Sequence, residues 1–447
     1  MGILYRILSA ASILFLAPYY AWRGWHRGEP AGTFRQRFGI VPREIVARAA
    51  SDHSAQNPSA GSIWIHAVSV GEVLAAKPLL ESLQQRFPRS PVFVSTTTET
   101  GQKLARERLA SAAGIFYFPL DLAFSVRRAL EAIRPVLVII METEIWPNFL
   151  REARRRAVPV VFANARISEK SFARYRRWNF FVDVFYEETL RNASLFLAQS
   201  PEDAQRLAAM HAPPDAIQVT GNMKYDAEPP APGPFAAWLA EEIQRQERWP
   251  VLVAGSVVAG EEEAVLAAYD IVQRQWRHAL LILAPRKPDR FDAAAEISSL
   301  GGWTAIRRSS IDPAAPLDEN ADVLVLDSIG ELGGLYSLAD AVFVGGSLVH
   351  SGGHNILEPA WFSRPPVFGP SMENFQEMAE CFLSARAGIQ VSGGPMLGKV
   401  WVQLIEDKTI RERMGRAARE ISERNRGATA KSLAFIATLL EAGVPRA

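Results

Sequence analysis

Short, almost uninterrupted apolar runs recur along this chain, each followed by a helix-period pattern. In the first half the runs predict strands at 62–67, 91–96, 115–118, 135–141, 158–163, 194–199 and 216–220. The runs "PVLVIIM" and "VPVVFAN" lack the polar alternation of a half-exposed strand. They read as strands buried on both faces, as in a parallel sheet covered by helices. The stretch "DAEPPAPGPF", 226–235, then interrupts the pattern with prolines and reads as a linker. A second series follows, with strands expected at 250–255, 279–284, 322–326, 341–345 and 366–368, and terminal helices after about residue 408.

Repeated strand–helix units of this kind predict an α/β protein with two successive Rossmann-like domains. Each parallel sheet would present its strand C-termini to ligands, facing a central cleft. The segment before the first strand is different. From Ile7 to Trp22 there is no charged residue, and Arg23, Arg27, Arg35, Arg37 and Arg43 come next. That pattern predicts an N-terminal hydrophobic anchor helix, spanning or embedded, with the body of the protein on the cytoplasmic side. A buried or interfacial helix is the alternative. The expected division is 1–28 anchor, 29–228 first domain and 229–447 second domain, with the terminal helices packing back toward the first.

Composition excludes several classes. Lys plus Arg number 49 and Asp plus Glu 48, so net charge makes no case for nucleic acid. Cys381 is the single cysteine, which rules out an intramolecular disulfide and fits a reducing compartment. The seven histidines stand in no zinc-ligand spacing. The run 163–178, "ANARISEKSFARYRRW", is locally basic through Arg166, Lys170, Arg174, Arg176 and Arg177, interleaved with Phe172, Tyr175 and Trp178. In an anchored protein it suits an anionic lipid head group better than nucleic acid, with a solvated helix face as the plain alternative.

Candidate chemistry sits at predicted strand ends. In "GGSLVHSGGHNILEPA", 345–360, Gly345, Gly346, Gly352 and Gly353 permit close backbone approach, and His354 to Glu358 reads as the start of a helix. A glycine loop before a helix N-terminus can take phosphate, and a carboxylate one turn in can accept ribose hydroxyls. The plain alternative is a capped turn. Arg286 in "APRKPDRF" could pair with phosphate, and Gly330 and Glu331 in "SIGELGGLY" stand at another helix start. In the first domain Glu72 follows strand 62–67, Glu142 and Glu144 follow strand 135–141, and Lys224 follows strand 216–220. One of Glu142 and Glu144 is expected to function and the other to cap a helix. Glu72 is either a helix-start device or a base at the mouth of a sheet.

The ordered motifs "SVGE", "METEIWPN", "NARIS", "GNMKYD", "PR" after a strand, "GEL" and "GGHNILEP", with the N-terminal anchor, cover nearly the whole chain. In them the sequence resembles the bacterial 3-deoxy-D-manno-octulosonic acid (Kdo) transferases, membrane-anchored enzymes that add Kdo from CMP-Kdo to the lipid A precursor. The resemblance implies a GT-B fold, an inverting reaction with no required metal or cofactor, and a place on the cytoplasmic face of the inner membrane. By motif, it implies Glu72 as general base, with Glu142 and Lys224 supporting the transition state. CMP-Kdo would be held in the second domain by Pro285, Arg286, Gly330, Glu331, Leu332, Gly353, His354, Asn355, Ile356, Leu357 and Glu358. Lys287 and Ser371 depart from the pattern, each standing where His is common in the family. The implied partners are CMP-Kdo, the lipid A precursor and inner-membrane lipid, and no nucleic acid. Two other readings compete: a membrane-associated GT-B transferase using a UDP-sugar, and a tethered nucleotide-binding module without catalysis.

Overall fold

The computed structural model describes residues 31–51, 61–177, 180–229 and 231–441. The apolar run 7–22, on which the anchor reading rests, lies outside them. Among the described residues no helix is long and apolar enough to cross a membrane. Of the arginines that flank the run, Arg37 is committed to packing. Its guanidinium donates to Thr97 O at 2.9 Å and lies over the Tyr117 ring.

The chain forms two compact units, one ending at Ala227 and rejoined from Asn425, the other Glu228–Arg424. The first holds strands β1 (Ser62–His66), β2 (Val92–Thr96), β3 (Gly114–Tyr117), β4 (Pro135–Met141), β5 (Val160–Ala165), β6 (Leu195–Ala198) and β7 (Ile217–Val219). They make one sheet in the order β3-β2-β1-β4-β5-β6-β7, with every pairing parallel. Successive residues of β1 serve opposite faces. Trp64 joins one buried cluster with Phe93, Phe116 and Phe149, while Ile63 and Ile65 join another with Leu79, Leu80 and Val94. Helices therefore cover both faces, which is why these strands read as continuous apolar runs.

The second unit repeats the plan with β8 (Val251–Val257), β9 (Leu280–Pro285), β10 (Ala305–Arg307), β11 (Val323–Val325), β12 (Ala341–Val344), β13 (Val367–Phe368) and β14 (Ile389–Gln390). Its order is β10-β11-β9-β8-β12-β13-β14, again parallel. Strands β10 and β14 were not expected from the sequence. They are three and two residues long, and their residues are only partly buried or exposed, so no apolar run marks them.

The terminal helices divide between the units. Lys408–Arg424 stays in the second, whereas Ala428–Glu441 belongs to the first, so the second domain stops short of the C-terminus expected for it. Asp226 fixes this last helix by accepting the N–H groups of Gly427 and Thr429 at 2.6 and 2.5 Å. Ala428 and Ile436 then enter the buried cluster that contains Met223. The helix thus braces the loop that carries Lys224.

Candidate active site

Each sheet has a switch point where the chain crosses from one half of the strand order to the other. In the first unit it falls between β1 and β4, and in the second between β8 and β12. Such switch points leave a crevice at the strand C-termini, the usual place for ligands in doubly wound sheets. Glu72 follows β1 and Glu142 follows β4, so both lie at the first switch point.

Glu72 sits in the first turn of helix Val70–Arg86, whose N-cap is Ser69. The Val68 N–H donates to its Oε2 at 2.7 Å and the Ser69 hydroxyl to its Oε1 at 2.8 Å, while Glu72 N–H donates to Ser69 Oγ at 3.4 Å. This is a variant of the capping box, in which the carboxylate takes the N–H of the residue before the cap and the cap's hydroxyl. The same carboxylate is buried, at 5% exposure, and its pKa is pushed up to about 7. Burial is the main cause; the charges of Glu142 and Glu144 add to it, and the two hydrogen bonds oppose it. The two readings of Glu72 are therefore not exclusive. The cap aims the carboxylate, and burial sets its proton affinity.

Glu142 adopts a left-handed conformation, φ 55°, and its carboxylate meets Lys224 Nζ at 3.2 Å. Lys224 is presented by the turn Met223–Asp226, where Asn222 Oδ1 accepts the Lys224 N–H at 2.9 Å. Asn164, at the end of β5, is also left-handed, φ 57°, and its Oδ1 accepts the Met223 N–H at 2.9 Å. Non-glycine residues in this region cost about 1–2 kcal/mol each and cluster where function demands them. Asn164 lies inside the "NARIS" motif, yet its role was not legible there, because nothing in the sequence joins it to a turn 59 residues later.

Glu144 does not cap the next helix, and neither does Glu142. Helix Pro147–Arg155 has Trp146 at its N-cap with no side-chain cap bond. Its free N–H groups are taken by Asp121 instead, with Asn148 N at 3.1 Å and Phe149 N at 2.8 Å. Glu144 adds a third carboxylate to the group, with its pKa raised by burial first and by Glu142 second. Two aromatic residues of the basic stretch, Phe172 and Tyr175, pack inward. Tyr175 is buried and Phe172 packs on the same cluster, so neither faces outward, while Arg174 and Arg176 are exposed.

In the second unit the helix after the glycine loop is shorter than expected, Leu357–Trp361. His354 precedes it, so His354 and Glu358 are not one turn apart on a helix. Each is instead within electrostatic reach of Arg286. Glu358 bonds to the Asn355 side chain, and burial pushes its carboxyl up to about 7 against the pull of Arg286 and Asn355. Burial first, and Arg286 second, hold His354 down at about 4, so its imidazole is neutral at pH 7. Asn355 Oδ1 also accepts the Leu357 N–H at 3.1 Å. Arg286, His354, Asn355 and Glu358 therefore form one polar group. Ile356 and Leu357 are fully buried and root this segment in the core, as Pro285 does for Arg286.

Gly330 is left-handed, φ 96°, where a side chain would be strained, and precedes helix Leu332–Leu335. The Glu331 carboxylate is engaged by Arg308, 3.2 Å from Nε, and by the Ser328 hydroxyl. Arg308 also stacks over Phe235 at 3.9 Å. Sequence inspection did not single out Arg308. It lies next to a three-residue strand that carries no strong pattern. Among the described residues no group of three or more His, Cys, Asp or Glu is placed to hold a metal ion.

Two parallel-sheet units in one chain, each with polar groups at its switch point, define a doubly wound α/β protein of two Rossmann-like units. The UDP-N-acetylglucosamine 2-epimerase of Neisseria meningitidis has this fold, with a TM-score of 0.54 at 14% identity over 85% of this chain and 100% of that one. Closer relatives identify the family. Residues 32–227 match the family described as 3-deoxy-D-manno-octulosonic-acid transferase (kdotransferase). The chain is 35% identical over 392 residues to the 3-deoxy-D-manno-octulosonic acid transferase of Haemophilus influenzae, covering 88% of this chain and 90% of that one. It is 31% identical over 432 residues to the transferase of the same name from Bordetella pertussis, covering 94% and 95%. The chain belongs to the Kdo transferase family.

Proposed function

We propose that this protein is an inverting glycosyltransferase that moves Kdo from CMP-Kdo onto a lipid A precursor. The observation that carries the reading is Glu72: a buried carboxylate with a pKa of about 7 at the switch point of the first sheet. A general base works best when its pKa lies near the operating pH. In the proposed step Glu72 takes the proton of an acceptor hydroxyl while that oxygen bonds to the anomeric carbon of Kdo. The bond from that carbon to the phosphate oxygen breaks, and CMP leaves with the electron pair. Lys224, held by Glu142, offsets negative charge in the transition state. The leaving phosphate needs no proton if positive charge meets it, and Arg286 supplies such a charge.

The second unit is proposed to hold CMP-Kdo. Its support is the polar group Arg286, His354, Asn355 and Glu358 at the second switch point. Glu358→Ala is expected to weaken CMP binding by about 1–3 kcal/mol, the cost of losing hydrogen bonds to a ribose. Titration calorimetry measures this directly, and unchanged affinity would remove Glu358 from the ribose. The same titration separates CMP-Kdo from a UDP-sugar. CMP should bind and UDP should bind much more weakly; the reverse order would assign the protein to another transferase reaction.

The place we assign to the protein is the cytoplasmic face of the bacterial inner membrane, with residues 1–28 as its anchor. The uncharged run and the arginines after it support this. The exposed Arg174 and Arg176 add charge suited to anionic lipid.

A further inference from the structure

The glycine loop after β12 looks like an anion-binding nest, and an internal anion already occupies its first part. Glu261, in the turn between β8 and helix Glu262–Gln273, is fully buried. Its Oε2 accepts the N–H groups of Gly346 at 2.7 Å and Val258 at 3.1 Å. Its Oε1 accepts those of Ser347 and Leu348, both at 2.8 Å. One carboxylate thus takes four backbone donors, from the strand ends on both sides of the second switch point.

The effect reaches the residues proposed to hold CMP-Kdo. Gly346 is left-handed, φ 67°, and its carbonyl accepts the Gly353 N–H at 2.7 Å. The His354 ring lies directly on Gly346, where an added Cβ would stand 2.7 Å from the ring Cδ2. Ser347 continues the frame: its Oγ accepts Gly369 N–H at 2.8 Å and its carbonyl accepts Ser371 N–H at 2.9 Å. Moving the Gly346 turn therefore moves Gly353 and His354, and with them Asn355 and Glu358.

We infer that Glu261 is a positioning residue for the CMP-Kdo site: its carboxylate stands where a ligand phosphate could sit on Gly346–Leu348, locks that turn, and leaves the nucleotide to the group formed by Arg286, His354, Asn355 and Glu358. The inference rests on the reading of that group as the nucleotide site. The sequence conceals the role because "GEEE" reads as an ordinary acidic first turn.

The test is CMP titration and steady-state kinetics on the full chain with Glu261→Gln. A glutamine keeps one acceptor oxygen and turns an NH₂ toward backbone donors. CMP affinity is expected to fall at least about tenfold, the loss for charged hydrogen bonds broken in the site's frame. The KM for CMP-Kdo should rise in step, with kcat at saturating CMP-Kdo within a few-fold of wild type. Glu242→Gln is the control. Glu242 is another buried carboxylate, which accepts Leu317 N–H and pairs with Arg245 elsewhere in the unit, and CMP affinity should survive its loss. Should Glu261→Gln fail to fold, Glu261→Asp keeps the charge but shortens the reach, and the same CMP loss is expected. Wild-type CMP affinity in a folded Glu261 variant, while Glu358→Ala still weakens CMP, overturns this inference and leaves the site reading intact. No CMP binding by the wild-type protein would overturn both.

Discussion

Glu72→Gln is expected to lower kcat by about 10²–10⁴-fold, the usual contribution of a general base, with CMP affinity nearly unchanged. Glutamine keeps the size and can still bond at the helix start, but it cannot accept a proton. Loss of a cap alone would cost about 0.5–2 kcal/mol of stability and nothing specific in rate. The pH dependence separates the roles further. In the wild type the acid limb of kcat/KM should lie near pH 7, where Glu72 ionises. Its folded pKa is above the ordinary value of 4.5. The folded state therefore binds this proton more tightly than the unfolded state does. Stability from this group is complete below the unfolded pKa and is lost as pH rises through about 7. Glutamine carries no such charge, so melting of Glu72→Gln relative to wild type should improve from pH 5 to pH 8. A variant that turns over at nearly the wild-type rate but melts earlier at every pH would make Glu72 a cap and nothing more.

Lys224→Ala should lower kcat by about 10²–10³-fold, the scale for removing one preorganised charge from a developing anion. The partner substitution makes a prediction of its own. The charge of Glu142 helps raise the Glu72 pKa, so Glu142→Gln should shift the acid limb of kcat/KM downward as well as reduce the rate. Rates for Lys224→Ala close to wild type, with only a lower melting temperature, would reduce the Lys224–Glu142 pair to a structural ion pair.

The fold was legible because strands buried on both faces leave unbroken apolar runs. Every strand with such a run was read, within a few residues at its ends. What failed was short or half-exposed, as at Ala305–Arg307 and Ile389–Gln390. The site was legible where polar groups stand at the ends of those runs, as Glu72, Glu142, Lys224 and Glu358 do. It was not legible where a residue acts across a long separation. Asp121 caps a helix that Glu142 or Glu144 seemed placed to cap, from 27 residues away. Asn164 holds the Lys224 turn, and Glu261 holds a glycine loop 85 residues on. Backbone N–H groups carry no sequence signature, so the carboxylates and amides that satisfy them look like surface residues. The same limit applies to Phe172 and Tyr175, which the sequence only interleaves with basic residues. They pack inward because the helix Glu169–Arg177 needs an apolar face against the sheet.

Kdo transfer with Glu72 as base is tested by product mass spectrometry. The purified full chain is incubated with CMP-Kdo and a lipid A precursor, beside Glu72→Gln under the same conditions. The wild type should convert the acceptor to a species heavier by Kdo while CMP is released, and the variant should leave the acceptor unconverted on that time scale. An acceptor mass unchanged by the wild-type protein with CMP-Kdo, or shifted equally by the variant, would contradict Kdo transfer with Glu72 as base.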